Sequence, residues 1–223
     1  MDSKEIELCW DLLAWAAKVA EEKAGTPSLD SWLLDAVAGA QSFGGLITSD
    51  TISAFRKKAG GRLAFGDGHF LLLEPDTKGQ RKLPLLKVSH EKNSEGHEVI
   101  RYQVCLFVMD EQAKDRESAI CAIGLRFDTP EGVDGIHAYY HAQWCREFHG
   151  SKRNLEFPRC PLWLPVTSPA IPVAASGPFS LMVAMFISLY GGTFSRKIAR
   201  DKELVSSIQE LAKNDKWLKT LLS

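Results

Sequence analysis

The 223-residue sequence contains no CxxC pair, no HExxH helix, no glycine-rich phosphate loop and no internal repeat. Those absences remove the common zinc, redox and nucleotide signatures and the solenoid architectures. Five cysteines (Cys9, Cys105, Cys121, Cys145, Cys160) stand far apart and in odd number. They do not read as a disulfide framework, and reduced thiols are the simplest expectation. The start Met1-Asp2-Ser3-Lys4-Glu5-Ile6-Glu7 is neither the basic opening nor the apolar run of a signal peptide, so a cytoplasmic protein is expected. Net charge is also nearly absent. The 27 Lys and Arg against 28 Asp and Glu give −1, which argues against a global basic field while allowing a local patch.

From Cys160 to Ser195 no residue is charged. Pro161, Pro165, Pro169, Pro172 and Pro178 interrupt the first half of that stretch. Its continuous apolar part, Phe179 to Tyr190, falls far short of the roughly 20 residues a spanning helix needs. A buried core helix is expected there, and no membrane association.

What is present reads as one α+β domain over residues 1–223: a helical part (1–61), an antiparallel sheet (68–146), a proline-rich loop (147–177) and C-terminal helices (178–223). Asp2-Ser3-Lys4-Glu5 resembles a capping box. Ile6, Trp10, Leu13 and Ala17 then recur at helical spacing. A second helix is expected over Ser28 to Gly39 and a third over Asp50 to Ala59, capped by Ser49. Gly44-Gly45, Gly60-Gly61 and Gly191-Gly192 read as helix stops. Four runs alternate like strands, Leu83–Glu91, His97–Met109, Ser118–Asp128 and Ile136–Cys145. Polar connections join them, short enough for antiparallel neighbours, and the apolar run from His69 to Leu73 adds a fifth candidate. A meander of four to five strands, flanked by N- and C-terminal helices, follows.

Side chains alternate across a strand, so one face of this sheet is apolar and the other carries Lys87, Arg101, Gln103, Arg126, His137, Tyr139, His141 and Gln143. With the shortest connections, Lys87, Arg101, Arg126 and His137 form a row across the sheet, with Ala122 and Gly124 leaving room for a shallow pocket. Like charges directly opposite destabilise a sheet, so such a row suggests an anion site formed by Lys87, Arg101, Arg126, His137, Tyr139, His141 and Gln143. Two alternatives stay open: a solvated face, which is ordinary for an antiparallel sheet, and a face covered and neutralised by acidic residues.

Other chemistry has less in the sequence to draw on. His137 and His141 lie about 13 Å apart at strand rise and cannot chelate one metal together. Either one could act alone as a general acid or base. The series His141, Cys145, His149, Cys160 holds zinc-type ligands, but its spacing suits a helix and conflicts with a strand. Arg126-Phe127-Asp128, the spaced His137 and His141, the proline stretch and Phe186-Ile187-Ser188-Leu189-Tyr190-Gly191 resemble patterns in prokaryotic mobile-element proteins, a resemblance from which no activity follows.

The expected function is a non-enzymatic binding module for an anion (phosphate, nucleotide or nucleic-acid backbone), in which reversing charge at Arg126 abolishes binding without lowering the melting temperature. One alternative is a hydrolase, phosphoesterase- or nuclease-like, using His137 or His141. Another is a scaffold or accessory subunit of a mobile-element system, with Trp10, Trp15, Trp32 and Trp217 exposed as a patch. No cofactor is implied.

Overall fold

The computed structural model describes residues 2–24, 44–66, 68–75, 82–108, 120–132, 139–148, 155–156 and 169–213. The expected helix over 28–39, together with Trp32, His137, His149, Cys160 and Trp217, lies outside them. The chain forms α1 (Ser3–Ala24), β1 (Gly45–Ile47), α2 (Ser49–Ala59), β2 (His69–Leu72), β3 (Lys82–Lys92), β4 (Glu98–Val108), β5 (Ile120–Asp128) and β6 (His141–Trp144). Beyond these come β7 (Glu147–Phe148), β8 (Leu155–Glu156), β9 (Ile171–Pro172), α3 (Pro178–Tyr190), α4 (Gly192–Ile198) and α5 (Lys202–Ala212).

Seven strands make the main sheet, in the order β1-β2-β3-β4-β5-β6-β9, and β7 and β8 pair separately. All neighbours in the main sheet are antiparallel except β1 and β2. The sheet is thus larger than the expected meander. The two additions, β1 and β9, are edge strands of three and two residues, too short to show a period. β6 begins at His141, so Tyr139 and Tyr140 precede the strand rather than belonging to it.

Local chemistry explains the boundaries. Thr48, not Ser49, caps α2: its hydroxyl accepts from Thr51 N, and Thr48 N donates to Thr51 Oγ1 at 2.8 Å. Asn93 shapes the β3–β4 hairpin, its Oδ1 accepting from the amides of Glu95 and His97. Gly44-Gly45 leads into β1 instead of simply stopping a helix. A Cβ on Gly44 would come within 2.5 Å of the His69 ring, so glycine there lets β1 lie beside β2.

The core lies on one face of the sheet. Leu86, Val88, Ile100, Tyr102, Val104 and Phe127 meet Ile6, Trp10, Leu13 and Ala17 of α1 and the apolar residues of α3 in one buried cluster. From Pro178 to Phe186 every residue of α3 is buried, as an all-round apolar helix must be in water. Among the described residues no helix is long and apolar enough to cross a membrane.

Two polar contacts fix α3, one to the sheet and one to α1. Tyr102 Oη donates to the Pro178 carbonyl at 2.9 Å and lies 3.7 Å from Cys9 Sγ. Glu5 lies in the first turn of α1. Its carboxylate crosses to α3 and accepts from Phe179 N at 3.0 Å, placing negative charge at a helix N-terminus. Gly177 makes this possible, since a Cβ there would collide with that carboxylate.

Tyr102→Phe should lower stability by about 1–3 kcal/mol, the usual result of leaving a buried carbonyl without its donor. Urea denaturation measures it. A loss below a few tenths would mean that Tyr102 Oη does not fasten β4 to α3.

Candidate functional site

The second face of the sheet carries Lys87, Arg101, Gln103, Arg126, His141 and Gln143, in registers that differ from the expected ones by two residues at β3–β4 and β4–β5 and by six at β5–β6. Lys87 pairs with Gln103, Gln103 with Arg126 and Arg126 with Gln143. A parallel row joins Ser89, Arg101, Asp128 and His141. The expected row Lys87–Arg101–Arg126–His137 therefore does not form. Arg101 faces Asp128 instead of Arg126, and Arg126 faces Gln143 instead of His137. Slips by an even number of residues, two at β3–β4 and β4–β5 and six at β5–β6, keep every side chain on its face while changing its partner. A third row, Leu85, Cys105, Gly124 and Cys145, lies beyond them, so Gly124 sits between Cys105 and Cys145.

This face is not solvated. Lys87 is 3% exposed, Gln103 1%, and Asp128 and His141 0%. Burying so many polar groups requires partners for them. Arg101 Nη2 donates to Glu131 Oε1 at 3.0 Å, its Nη1 lies 3.5 Å from Glu91, and its Nε lies 4.0 Å from Asp128 Oδ1. Glu131 is brought into reach because Thr129 extends the β4–β5 pairing, giving Thr129 N to Ile100 O and taking Ile100 N on its hydroxyl. Arg126 Nε lies 2.7 Å from Asp128 Oδ2. With its oxygen turned to the guanidinium, the Gln143 amide accepts from Arg126 Nε at 2.9 Å and from Nη2. Acidic residues of the sheet and its loops thus neutralise much of the positive row.

His141 completes the cluster. Its Nδ1 lies 2.9 Å from the Tyr139 carbonyl and its Nε2 3.3 Å from Asp128 Oδ2. The Tyr139 ring packs edge-on against it at 5.7 Å. Burial disfavours the imidazolium, but the contacts with Asp128 and the Tyr139 carbonyl outweigh that penalty and raise the His141 pKa. With a protein oxygen at each ring nitrogen and no exposed surface, the imidazole has no edge turned to a substrate. Proton transfer from His141 would need the ring to leave this position.

The remaining candidates are placed as follows. Cys145 is buried on the same face as His141, while His149 and Cys160, the other two residues of the zinc-type series, lie outside the described residues. Among the described residues no three His, Cys, Asp or Glu side chains are grouped to hold a metal ion. Trp10 is buried, with its Nε1 donating to the Arg62 carbonyl at 3.0 Å, and Trp15 packs on Phe194. Neither forms the exposed patch a tryptophan-based interface requires. A cleft of about 500 Å³ beside Glu5, Glu98, Tyr140 and Ser176 opens near the start of α3, but the backbone amide of Phe179 there is already taken by Glu5.

Sequence reasoning missed Asp128, Glu91 and Glu131 as members of this cluster, and alternation placed Ser89 on the face of Lys87 without giving it a role. The signal for Asp128 was present, since continuing the alternation Gly124, Arg126 by one step puts Asp128 on the same face.

Two buried histidines titrate in opposite senses. His90 accepts Leu63 N on Nδ1 at 3.0 Å, and burial lowers its pKa. The raised pKa of His141 gives stability that is complete below the ordinary imidazole value of about 6.5 and lost as pH rises through the folded value. For His90 stability is lost as pH falls from about 6.5 toward its lowered value. Urea midpoints measured across neutral pH should therefore peak near that value. His141→Gln should flatten the alkaline side and His90→Asn the acid side; unchanged slopes would refute the assignments. Asp128→Ala, which leaves buried cations unpaired, should cost about 3–5 kcal/mol in the same assay.

No family model matches the chain, and neither a curated protein nor a solved structure matches it; the geometry of this face is what a functional reading has to rest on.

Proposed function

We propose that the chain is a non-enzymatic binding module that takes an anionic group, phosphate or carboxylate, on the second face of its sheet. The observation that carries this reading is the state of Arg126. Its Nε and Nη2 are engaged by Asp128 and Gln143, its side chain is 22% exposed, and Nη1 has no hydrogen-bond or ion-pair partner among the described residues. A guanidinium held on one edge and open on the other is pre-set for a charge-assisted contact with an oxyanion. Lys87 adds a second cation to the same row, and Gln103 and Gln143 add amides. The reading is narrower than a four-cation row, because the charge of Arg101 is answered by Glu91, Asp128 and Glu131.

The expectation that reversing charge at Arg126 spares the melting temperature does not hold: Arg126 lies 2.7 Å from buried Asp128, so Arg126→Glu sets a second carboxylate against it and should unfold the protein. Arg126→Lys keeps a positive charge near Asp128 but loses the planar fork. Titration calorimetry at low ionic strength with inorganic phosphate and with a nucleoside monophosphate should show binding to the wild type. That affinity should fall about tenfold in Arg126→Lys, the worth of one charge-assisted hydrogen bond. A wild type that binds neither anion ends the proposal.

A further inference from the structure

Besides His141 Nε2, which lies 3.3 Å from Asp128 Oδ2, the row beside Arg126 contains three buried polar atoms that make no hydrogen bond among the described residues: Ser89 Oγ, Arg101 Nε and Asp128 Oδ1. They belong to consecutive partners across the sheet, Ser89 opposite Arg101 and Arg101 opposite Asp128. Native proteins leave few such atoms without a reason. Here they fall in one line, on residues whose other polar atoms are accounted for. Asp128 Oδ2 faces Arg126 and His141, and both Arg101 Nη atoms face carboxylates.

Given the anion-binding reading above, we propose that the bound anion also carries a hydroxyl group, and that Ser89, Arg101 and Asp128 recognise it. The ligand class is then a phosphorylated polyol, such as a sugar phosphate, in preference to a bare oxyanion.

The geometry selects the group. Arg101 Nε can only donate and Asp128 Oδ1 can only accept. Their 4.0 Å separation is too long for a direct hydrogen bond. One oxygen set to the side of the line between them reaches both at ordinary hydrogen-bond length. That oxygen must accept from Nε–H and donate to Oδ1, and a hydroxyl does both. An oxyanion oxygen would be repelled by Asp128, and an ammonium by Arg101. Ser89 Oγ can either give or take a third hydrogen bond. The position also suits a ligand held by Arg126. The two rows are two residues apart along each strand, about 7 Å, a span that a phosphate and a hydroxyl a few carbons away can bridge. Arg126, the exposed member of the cluster, is where such a ligand would meet it.

The test compares inorganic phosphate, glycerol 3-phosphate and ribose 5-phosphate by titration calorimetry on the full chain. Either polyol phosphate should bind about tenfold or more tighter than inorganic phosphate. In Ser89→Ala, checked for folding by circular dichroism, the ratio of the two affinities should fall several-fold. Equal affinities in the wild type, or a ratio that survives Ser89→Ala, would mean that a water suffices between Arg101 and Asp128. That result overturns this inference and leaves the anion site standing. If none of the three binds, the anion reading itself falls and this inference with it.

Discussion

Asp128 has no exposed surface, and a carboxylate in that position is tolerated only among groups that answer its charge. Arg126 and His141 face one of its oxygens and Arg101 lies near the other. This requirement decides how the sheet is assembled. Hydrophobic alternation has a period of two, so it cannot distinguish registers that differ by two residues. The rejected register sets Arg101 against Arg126. The adopted one sets Arg101 and His141 against Asp128, converting a like-charge clash into a compensated row.

The two faces are buried by different means. On the α1–α3 side the sheet presents Val88, Ile100, Tyr102, Val104 and Phe127 to apolar helices, where the gain is ordinary hydrophobic burial. On the other side the buried groups are Lys87, Arg101, Gln103, Asp128, His141 and Gln143. Such a network contributes little net stability by itself and loses heavily when one member is removed. Specificity of pairing is its contribution to the fold. Glu5 and Tyr102 do a related task on the apolar side, each supplying a polar contact that places α3 against α1 and β4.

How much of this was legible depended on the length of the signal. α1, α2 and α3, and the long strands β3, β4 and β5, follow from periodicity and turn chemistry to within a few residues. β1 and β9 do not, because three or two residues carry no period and tertiary pairing alone makes them strands. The polar face was legible as a list of residues, since alternation assigns faces. Its partners were not, since the choice of register rests on Asp128, which a list of cations leaves out. That Thr48 and not Ser49 caps α2 is the same kind of miss on a smaller scale, two adjacent hydroxyl residues separated only by backbone geometry.

The pairing that fixes the register also determines which charges remain available for contact. His141 has both ring nitrogens directed at protein oxygens, and the guanidinium of Arg101 is surrounded by three carboxylates. Arg126 shares Asp128 with its neighbours and has the most exposed side chain of the three. Among these three buried or half-buried cations it is therefore the one whose charge is least compensated and most accessible. This asymmetry supports the anion-binding proposal: Arg126 has one edge of its fork held by Asp128 and Gln143, whereas His141 is fully buried with each ring nitrogen near a protein oxygen and would have to move to exchange a proton.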